Sequence, residues 1–174
     1  EMTSSLVGSE MCIRDSDKDA VCAAMLATEM AAYYKAKNMT LYDALQKLYE
    51  KYGYYGEKSQ DVYMEGLDGI ERRTNTMKNL RENPPKSIGG SPVAFVGDYL
   101  AGTITTLSDG STKPTGLPKS DVLYYGLADG DVAVIRPSGT EPKIKIYYLA
   151  SAKDAATLAA KLATYAAETD KLVK

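Results

Sequence analysis

Apolar residues recur along the chain at two spacings, and the change from one to the other divides it. Ser16-Asp17-Lys18-Asp19 reads as a capping box with Asp in place of Glu, and a helix should follow to about Lys37. Thr40-Leu41-Tyr42-Asp43 is a second capping signal. It opens a stripe of Leu41, Leu45, Leu48 and Tyr52 at helical spacing, with Gly53 as a natural stop. Such a stripe predicts core or interdomain packing rather than a ligand site. Between Gly53 and Gly66 aromatic and polar residues alternate (Tyr54, Tyr55, then Val62, Tyr63, Met64), which predicts a strand and the start of a new unit. Leu67, Ile70, Met77 and Leu80 then share one helical face, and Pro84-Pro85 ends that helix.

Beyond Pro85 the period shortens. Residues 93–100, 121–127, 131–136 and 143–150 are short runs rich in Val, Ile and Tyr, with turn signals at Asp109-Gly110 and Asp129-Gly130. Ser151-Ala152-Lys153-Asp154 should cap a last helix whose Leu158, Leu162, Tyr165 and Leu172 share a face. The order helix, helix, strand, helix, several strands, helix predicts an α+β fold, an antiparallel sheet with helices packed on one face. The two leading helices belong to a separate unit, and no internal repeat is present.

Composition narrows the chemistry. The 174 residues are 44% hydrophobic and carry 21 basic against 23 acidic side chains, a net charge of −2, which is ordinary for a globular protein and excludes disorder or collagen. There is no histidine, so Ser-His-Asp and Cys-His nucleophilic sites and HExxH zinc sites are excluded. Slight acidity without a clustered basic stripe argues against nucleic acid. No apolar run reaches the roughly 18 residues of a membrane span, and no signal peptide can be read. Cys12 and Cys22 show neither a CxxC nor a metal-ligand spacing, which suits a reducing compartment, and the expected location is the cytoplasm. Asp98, Asp109, Asp121, Asp129 and Asp131 stand beside glycines and at strand ends, where turn and cap roles outweigh a metal site. Asn38-Met39-Thr40 fits a glycosylation sequon, but Thr40 reads as a cap. Most of the 14 tyrosines, including Tyr124, Tyr125, Tyr147 and Tyr148, occupy positions where packing is expected.

One segment concentrates groups suited to phosphate: Arg136-Pro137-Ser138-Gly139-Thr140-Glu141-Pro142-Lys143-Ile144-Lys145. Arg136 offers a planar donor fork, and Ser138 and Thr140 offer hydroxyls. Gly139 permits close backbone approach and its neighbouring N–H groups could form an anion nest, while Pro137 and Pro142 stiffen both ends. In the strand that follows, Ile144 and Ile146 point one way and Lys143 and Lys145 the other, so one face packs and the other stays available to an anion. Residue chemistry alone leaves two readings open, because Pro, Ser and Gly also build plain turns and lysines also line solvated edge strands.

Residues 136–147, RPSGTEPKIKIY, closely resemble the C-terminal signature of the α-D-phosphohexomutases, the phosphoglucomutase and phosphomannomutase family, and look most like its bacterial phosphoglucomutase branch. The likeness runs from about Asp17 to the C-terminus through DKDAV, EMAAYYKAK, TLYDALQKLYEKYGYY and LDGIERRTNTMKNLRENPP. It implies a C-terminal domain of the TATA-box-binding-protein-like type over 54–174. Residues 17–53 would be terminal helices and linker of a third domain, and 1–16 a non-native leader standing where a Gly-Glu-Glu-Ser type sugar loop is expected. It implies further that Arg136, Ser138, Gly139 and Thr140 contact the phosphate that is not being transferred. Lys143 would stand near that phosphate, while Pro137, Glu141 and Pro142 orient the loop.

The reaction so implied interconverts hexose 1-phosphate and hexose 6-phosphate, of the glucose or mannose series, through a phosphoserine and a hexose 1,6-bisphosphate intermediate, with Mg²⁺ neutralising charge. Neither the family's Thr-Ala-Ser-His-Asn-Pro type serine loop nor its Asp-Gly-Asp-Gly-Asp-Arg metal loop occurs in the chain. The resemblance therefore implies no catalytic residue here, Mg²⁺ bound by upstream domains of the same enzyme, and inactivity alone. The alternative is a stand-alone, non-enzymatic module for phosphorylated sugars or for a protein partner.

Overall fold

The computed structural model of the chain describes residues 20–173, which divide into two compact units between Tyr52 and Gly53. The first capping box, Cys12 and the expected leader lie outside the described residues.

The first unit is a pair of helices, α1 (Ala20–Lys35) and α2 (Leu41–Tyr52). The start of α2 is the capping box expected at Thr40: its N–H donates to Asp43 Oδ2 at 2.8 Å, and the Asp43 N–H donates to Thr40 Oγ1 at 3.1 Å. The Thr40 N–H and the Thr40 hydroxyl, both donating to it, hold the Asp43 carboxyl below its ordinary pKa. Leu41, Leu45, Leu48 and Tyr52 are all exposed, and Ala44 is the residue of α2 that is buried. Two helices alone have too little surface to cover an apolar stripe.

The second unit is an antiparallel sheet in the order β1-β8-β7-β6-β3-β4-β5, with β2 pairing β3 off this path. The strands are β1 (Tyr54–Tyr63), β2 (Ser87–Ile88), β3 (Ser91–Asp98), β4 (Thr103–Thr106), β5 (Thr112–Pro114), β6 (Leu123–Leu127), β7 (Val132–Pro137) and β8 (Lys143–Ala152). Helices α3 (Gly69–Glu82) and α4 (Ala155–Val173) lie on one face. Alternation along β8 sorts the two faces: Ile144, Ile146, Tyr148 and Ala150 join Met77, Leu80, Leu158, Leu162 and Tyr165 in the core. Lys145, Tyr147 and Leu149 point to the other, open face. Burial raises the Tyr148 hydroxyl pKa to about 12. Its O–H donates to Gln60 at 3.1 Å.

Three expectations are corrected. Leu67 and Ile70 are exposed: Leu67 precedes α3, which begins only at Gly69, and Ile70 lies in its first turn, where Gly69 is the buried residue. A Cβ on Gly69 would fall 2.0 Å from the Met64 carbonyl oxygen, so only glycine allows this approach. The cap of α4 is Asp154 rather than Ser151: Asp154 Oδ1 accepts the Thr157 N–H at 2.8 Å. Ser151 is still in β8, which pairs through to Ala152 opposite Tyr54. Near the end of α4, Thr169 and Val173 are buried while Leu172 is exposed. None of the helices among the described residues is long and apolar enough to cross a membrane.

Candidate anion-binding site

The segment singled out above is the hairpin joining β7 to β8. The strands hold it open at both ends, Arg136 opposite Lys145 and Pro137 opposite Ile144, and the turn closes with the Ser138 N–H donating to the Lys143 carbonyl at 2.9 Å. Arg136 and Lys145 are direct cross-strand neighbours, so both project on the open face of the sheet. Arg136 is exposed and Lys145 partly so. Two like charges placed opposite one another repel, a cost that a bound anion would remove. Asp61 of β1 is next in the same row, opposite Lys145, and its carboxylate lies 3.9 Å from the Lys145 ammonium.

Ser138 is buried at 6% exposure, and its Oγ accepts the Glu141 N–H at 3.4 Å. Gly139, Thr140, Glu141 and Pro142 are exposed, and a Cβ on Gly139 would meet nothing within 4 Å. The Gly139 and Thr140 N–H groups make no hydrogen bond among the described residues. The turn thus presents two adjacent amides and an open glycine beside Arg136 and Lys145.

Lys143 is turned into the protein. Its side chain is only 7% exposed, and its ammonium lies 2.7 Å from Glu141 Oε2, 2.9 Å from Asp61 Oδ2 and 3.2 Å from the Tyr63 hydroxyl. Glu141, then Asp61 and Tyr63, raise the Lys143 pKa, and the hydrogen bond from Lys143 in turn lowers that of Asp61. Lys143 therefore ties the loop to the edge strand, and Glu141 is turned toward it.

Two residues at the site were not visible in the sequence. Arg73, in the second turn of α3, donates through Nη1 to the Ser138 carbonyl at 2.6 Å and to the Glu141 carbonyl at 3.0 Å. Asp61 arrives from a strand 80 positions upstream of Glu141, and only the β1·β8 register reveals it. The Pro142 carbonyl accepts the Met64 N–H at 2.7 Å, closing the loop against the entry to α3. A groove of about 440 Å³ lined by Tyr55, Glu57, Val132 and Leu149 lies at the opposite end of the strands and shares no residue with the loop.

Residues 105–165, from β4 into α4 and with the hairpin in the middle, match the family model of the "Phosphoglucomutase/phosphomannomutase, C-terminal domain". The chain carries the C-terminal domain of the phosphoglucomutase/phosphomannomutase family. Over 131 residues, 75% of the chain, it is 37% identical to a phosphoglucomutase of Staphylococcus aureus strain bovine RF122 / ET3-1 and covers 24% of that protein. Over 146 residues, 84% of the chain, it is 35% identical to the phosphoglucomutase of S. aureus strain MRSA252 and covers 26% of it. The chain thus spans about a quarter of the length of these relatives. A Paramecium parafusin, a phosphoglucomutase solved in its open form, overlaps 80% of the chain and 24% of its own at 16% identity, with a TM-score of 0.48. In this phosphohexomutase domain Asp98, Asp109 and Asp129 serve their turns, accepting the N–H groups of Leu100, Ser111 and Asp131 respectively. Among the described residues no group of three or more acidic or thiol side chains could hold a metal ion.

Proposed function

We propose that the β7–β8 hairpin binds the phosphate of a hexose phosphate, as the part of a phosphoglucomutase or phosphomannomutase that holds the group not being transferred. The observation that carries this reading is the placement of Arg136 and Lys145 side by side on the open face, next to the unpartnered amides of Gly139 and Thr140. Arg136 would grip two phosphate oxygens, Lys145 would add a point charge, and the two amides and the Thr140 hydroxyl would complete the oxygen shell. Ser138 would shape the turn from beneath and donate its hydroxyl outward. Lys143 and Glu141 would brace the loop rather than meet the ligand.

Everything in this set recognises a phosphate and nothing in it recognises a sugar hydroxyl. That suits a substrate that must be held by its 6-phosphate in one half of the reaction and by its 1-phosphate in the other. In the whole enzyme the transfer would run through a phosphoserine and a hexose 1,6-bisphosphate supplied outside the described residues, in a cytoplasmic setting. Upstream domains of that enzyme would hold the Mg²⁺ that neutralises the charge developing in the transfer.

The test is a titration of the chain with glucose 1-phosphate and with inorganic phosphate at fixed ionic strength, read by the amide resonances of Gly139 and Thr140. Arg136→Ala removes a bidentate charged donor and should weaken binding by about 10- to 100-fold, from the roughly 1.5–3 kcal/mol of hydrogen bonds to charged groups. Affinity unchanged by that substitution would refute the reading.

A further inference from the structure

We infer that Arg73 is a positioning residue for the phosphate loop: by holding two loop carbonyls from behind, it turns the Gly139 amide outward to the anion. The inference rests on the phosphate-binding reading of the hairpin. Arg73 is remote from the hairpin in sequence and would touch no ligand itself.

The geometry is specific. One nitrogen of Arg73 donates to the carbonyls of Ser138 and Glu141, the two ends of the turn's tip, at 2.6 and 3.0 Å. A trans peptide is planar, so its C=O and N–H point in opposite directions. Fixing the Ser138 carbonyl toward Arg73 fixes the Gly139 N–H, which shares that peptide, away from it. Arg73 belongs to α3, on the covered face of the sheet, while Arg136 and Lys145 are on the open face. Away from Arg73 is therefore toward the two cations.

Without this clamp Gly139, with no side chain and nothing within 4 Å of its Cβ position, could flip its peptide at little cost. A flipped peptide would aim a carbonyl at the phosphate, replacing attraction with repulsion. The carbonyl at Glu141 has no N–H on the following residue to direct, because that residue is Pro142. There the same bond stops the end of the turn from swinging.

Charge alone would not produce this arrangement. Arg73 approaches the loop through backbone oxygens, and its guanidinium is an ionised donor, which makes stronger hydrogen bonds to them than a neutral one. Because a single nitrogen makes both bonds, a lysine ammonium reaching the same place could make them too. A methionine would keep the packing of the stem and lose both.

The experiment uses the full chain, labelled with ¹⁵N, titrated with inorganic phosphate and with glucose 1-phosphate at constant ionic strength. Arg73→Met should weaken both probes about tenfold, the loss of one charged donor's contribution, and should shift the Gly139 amide resonance before any ligand is added. Arg73→Lys should restore affinity to within about threefold, which a purely structural role would not require once the fold is intact. If Arg73→Met does not fold, Arg73→Gln, which keeps a neutral donor, should bind about threefold to tenfold more weakly. Wild-type affinity and an unmoved Gly139 resonance in whichever of these variants folds overturn the inference. Arg136→Ala separates the two levels of the argument. If it loses binding while the Arg73 variants bind normally, the loop is the phosphate site and Arg73 merely structural; if it too binds normally, the phosphate reading fails and the role of Arg73 fails with it.

Discussion

Replacing Asp131 by alanine should cost several times more stability than replacing Asp129, although Lys161 touches both almost equally. The Lys161 ammonium lies 2.6 Å from Asp131 Oδ2 and 2.7 Å from Asp129 Oδ2, so distance does not separate them. Burial and the number of donors do. Asp131 is 2% exposed and accepts three groups: the Ser151 N–H at 3.0 Å on one oxygen, and the Tyr165 hydroxyl at 2.7 Å with Lys161 on the other. In Asp131→Ala the Ser151 amide loses its acceptor, an unmade bond worth about 1–3 kcal/mol. Tyr165 and Lys161 fall back on Asp129, at 3.2 and 2.7 Å, which limits their loss to about 1 kcal/mol. The sum is about 3 kcal/mol. In Asp129→Ala the same two donors keep Asp131, and what disappears is a Lys161 pair with one side chain 35% and the other 26% exposed, together with the Ser91 bond and the long, 3.4 Å bond from the Asp131 N–H, in all about 1 kcal/mol after solvent screening. The chain has 14 tyrosines and no tryptophan, so urea unfolding followed by near-ultraviolet tyrosine dichroism reports on the second unit, where Tyr125, Tyr148 and Tyr165 are buried. Equal losses in the two variants, or less than about 1 kcal/mol in Asp131→Ala, would refute the reasoning.

Two shorter expectations follow from the same structure, beside those for Arg136 and Arg73. At Gly126 a Cβ would fall 2.2 Å from two ring carbons of Phe95, which stacks on Tyr124 at 5.8 Å, so Gly126→Ala should cost about 1–3 kcal/mol. The added change Phe95→Ala should return part of that loss in thermal melts; no recovery would mean that the ring is not what the methyl meets. Acid should weaken the α4 contact through Asp129. Burial disfavours its carboxylate, but hydrogen bonds from Lys161, Ser91 and the Asp131 amide outweigh this and lower its pKa. A folded Asp129 therefore holds its proton less tightly than an unfolded one, and its stabilisation is complete above about pH 5 and fades as pH falls through the lowered folded value. Asp129→Asn should flatten the acid limb of a pH–stability curve, and an unchanged limb would count against the assignment.

The parts of the fold that were legible in the sequence are those specified locally. Thr40 and Asp43 form the expected capping box, and the Asp109-Gly110 and Asp129-Gly130 turns fall between strands. The hairpin β4–β5 escaped because Thr103–Thr106 and Thr112–Pro114 are short and wholly half-buried or exposed, so they carry no alternation. Leu67 and Ile70 keep the helical spacing without packing, because Leu67 precedes the helix and Ile70 lies in its first turn, where Gly69 is the buried position. At the site, Arg136 and the turn could be read from composition, since their chemistry is contiguous. The fate of Lys143 could not. Alternation places it beside Lys145, but whether its ammonium meets solvent depends on Asp61 and Tyr63, brought alongside by a strand far away in sequence. Arg73 was hidden for the same reason, as its partners are carbonyls, which no side-chain pattern reports.

These long-range contacts also decide which charges an arriving anion meets. Four cations surround the hairpin, and the two carboxylates near them are not shared evenly. Glu141 and Asp61 both lie within 3 Å of the Lys143 ammonium, while Asp61 reaches Lys145 only at 3.9 Å. Lys143 is spent inside the loop, and Arg73 is spent on its carbonyls. Arg136, on the open face, has no carboxylate within ion-pair distance among the described residues. A protein with a net charge of −2 thus keeps a local excess of positive charge where the Gly139 and Thr140 amides stand. The two inner cations make the loop rigid and the two outer ones make it attractive. Exchanging those roles, by removing Glu141 to release Lys143, would add charge at the mouth but slacken the turn, so tighter electrostatic attraction would come with a less ordered amide pair.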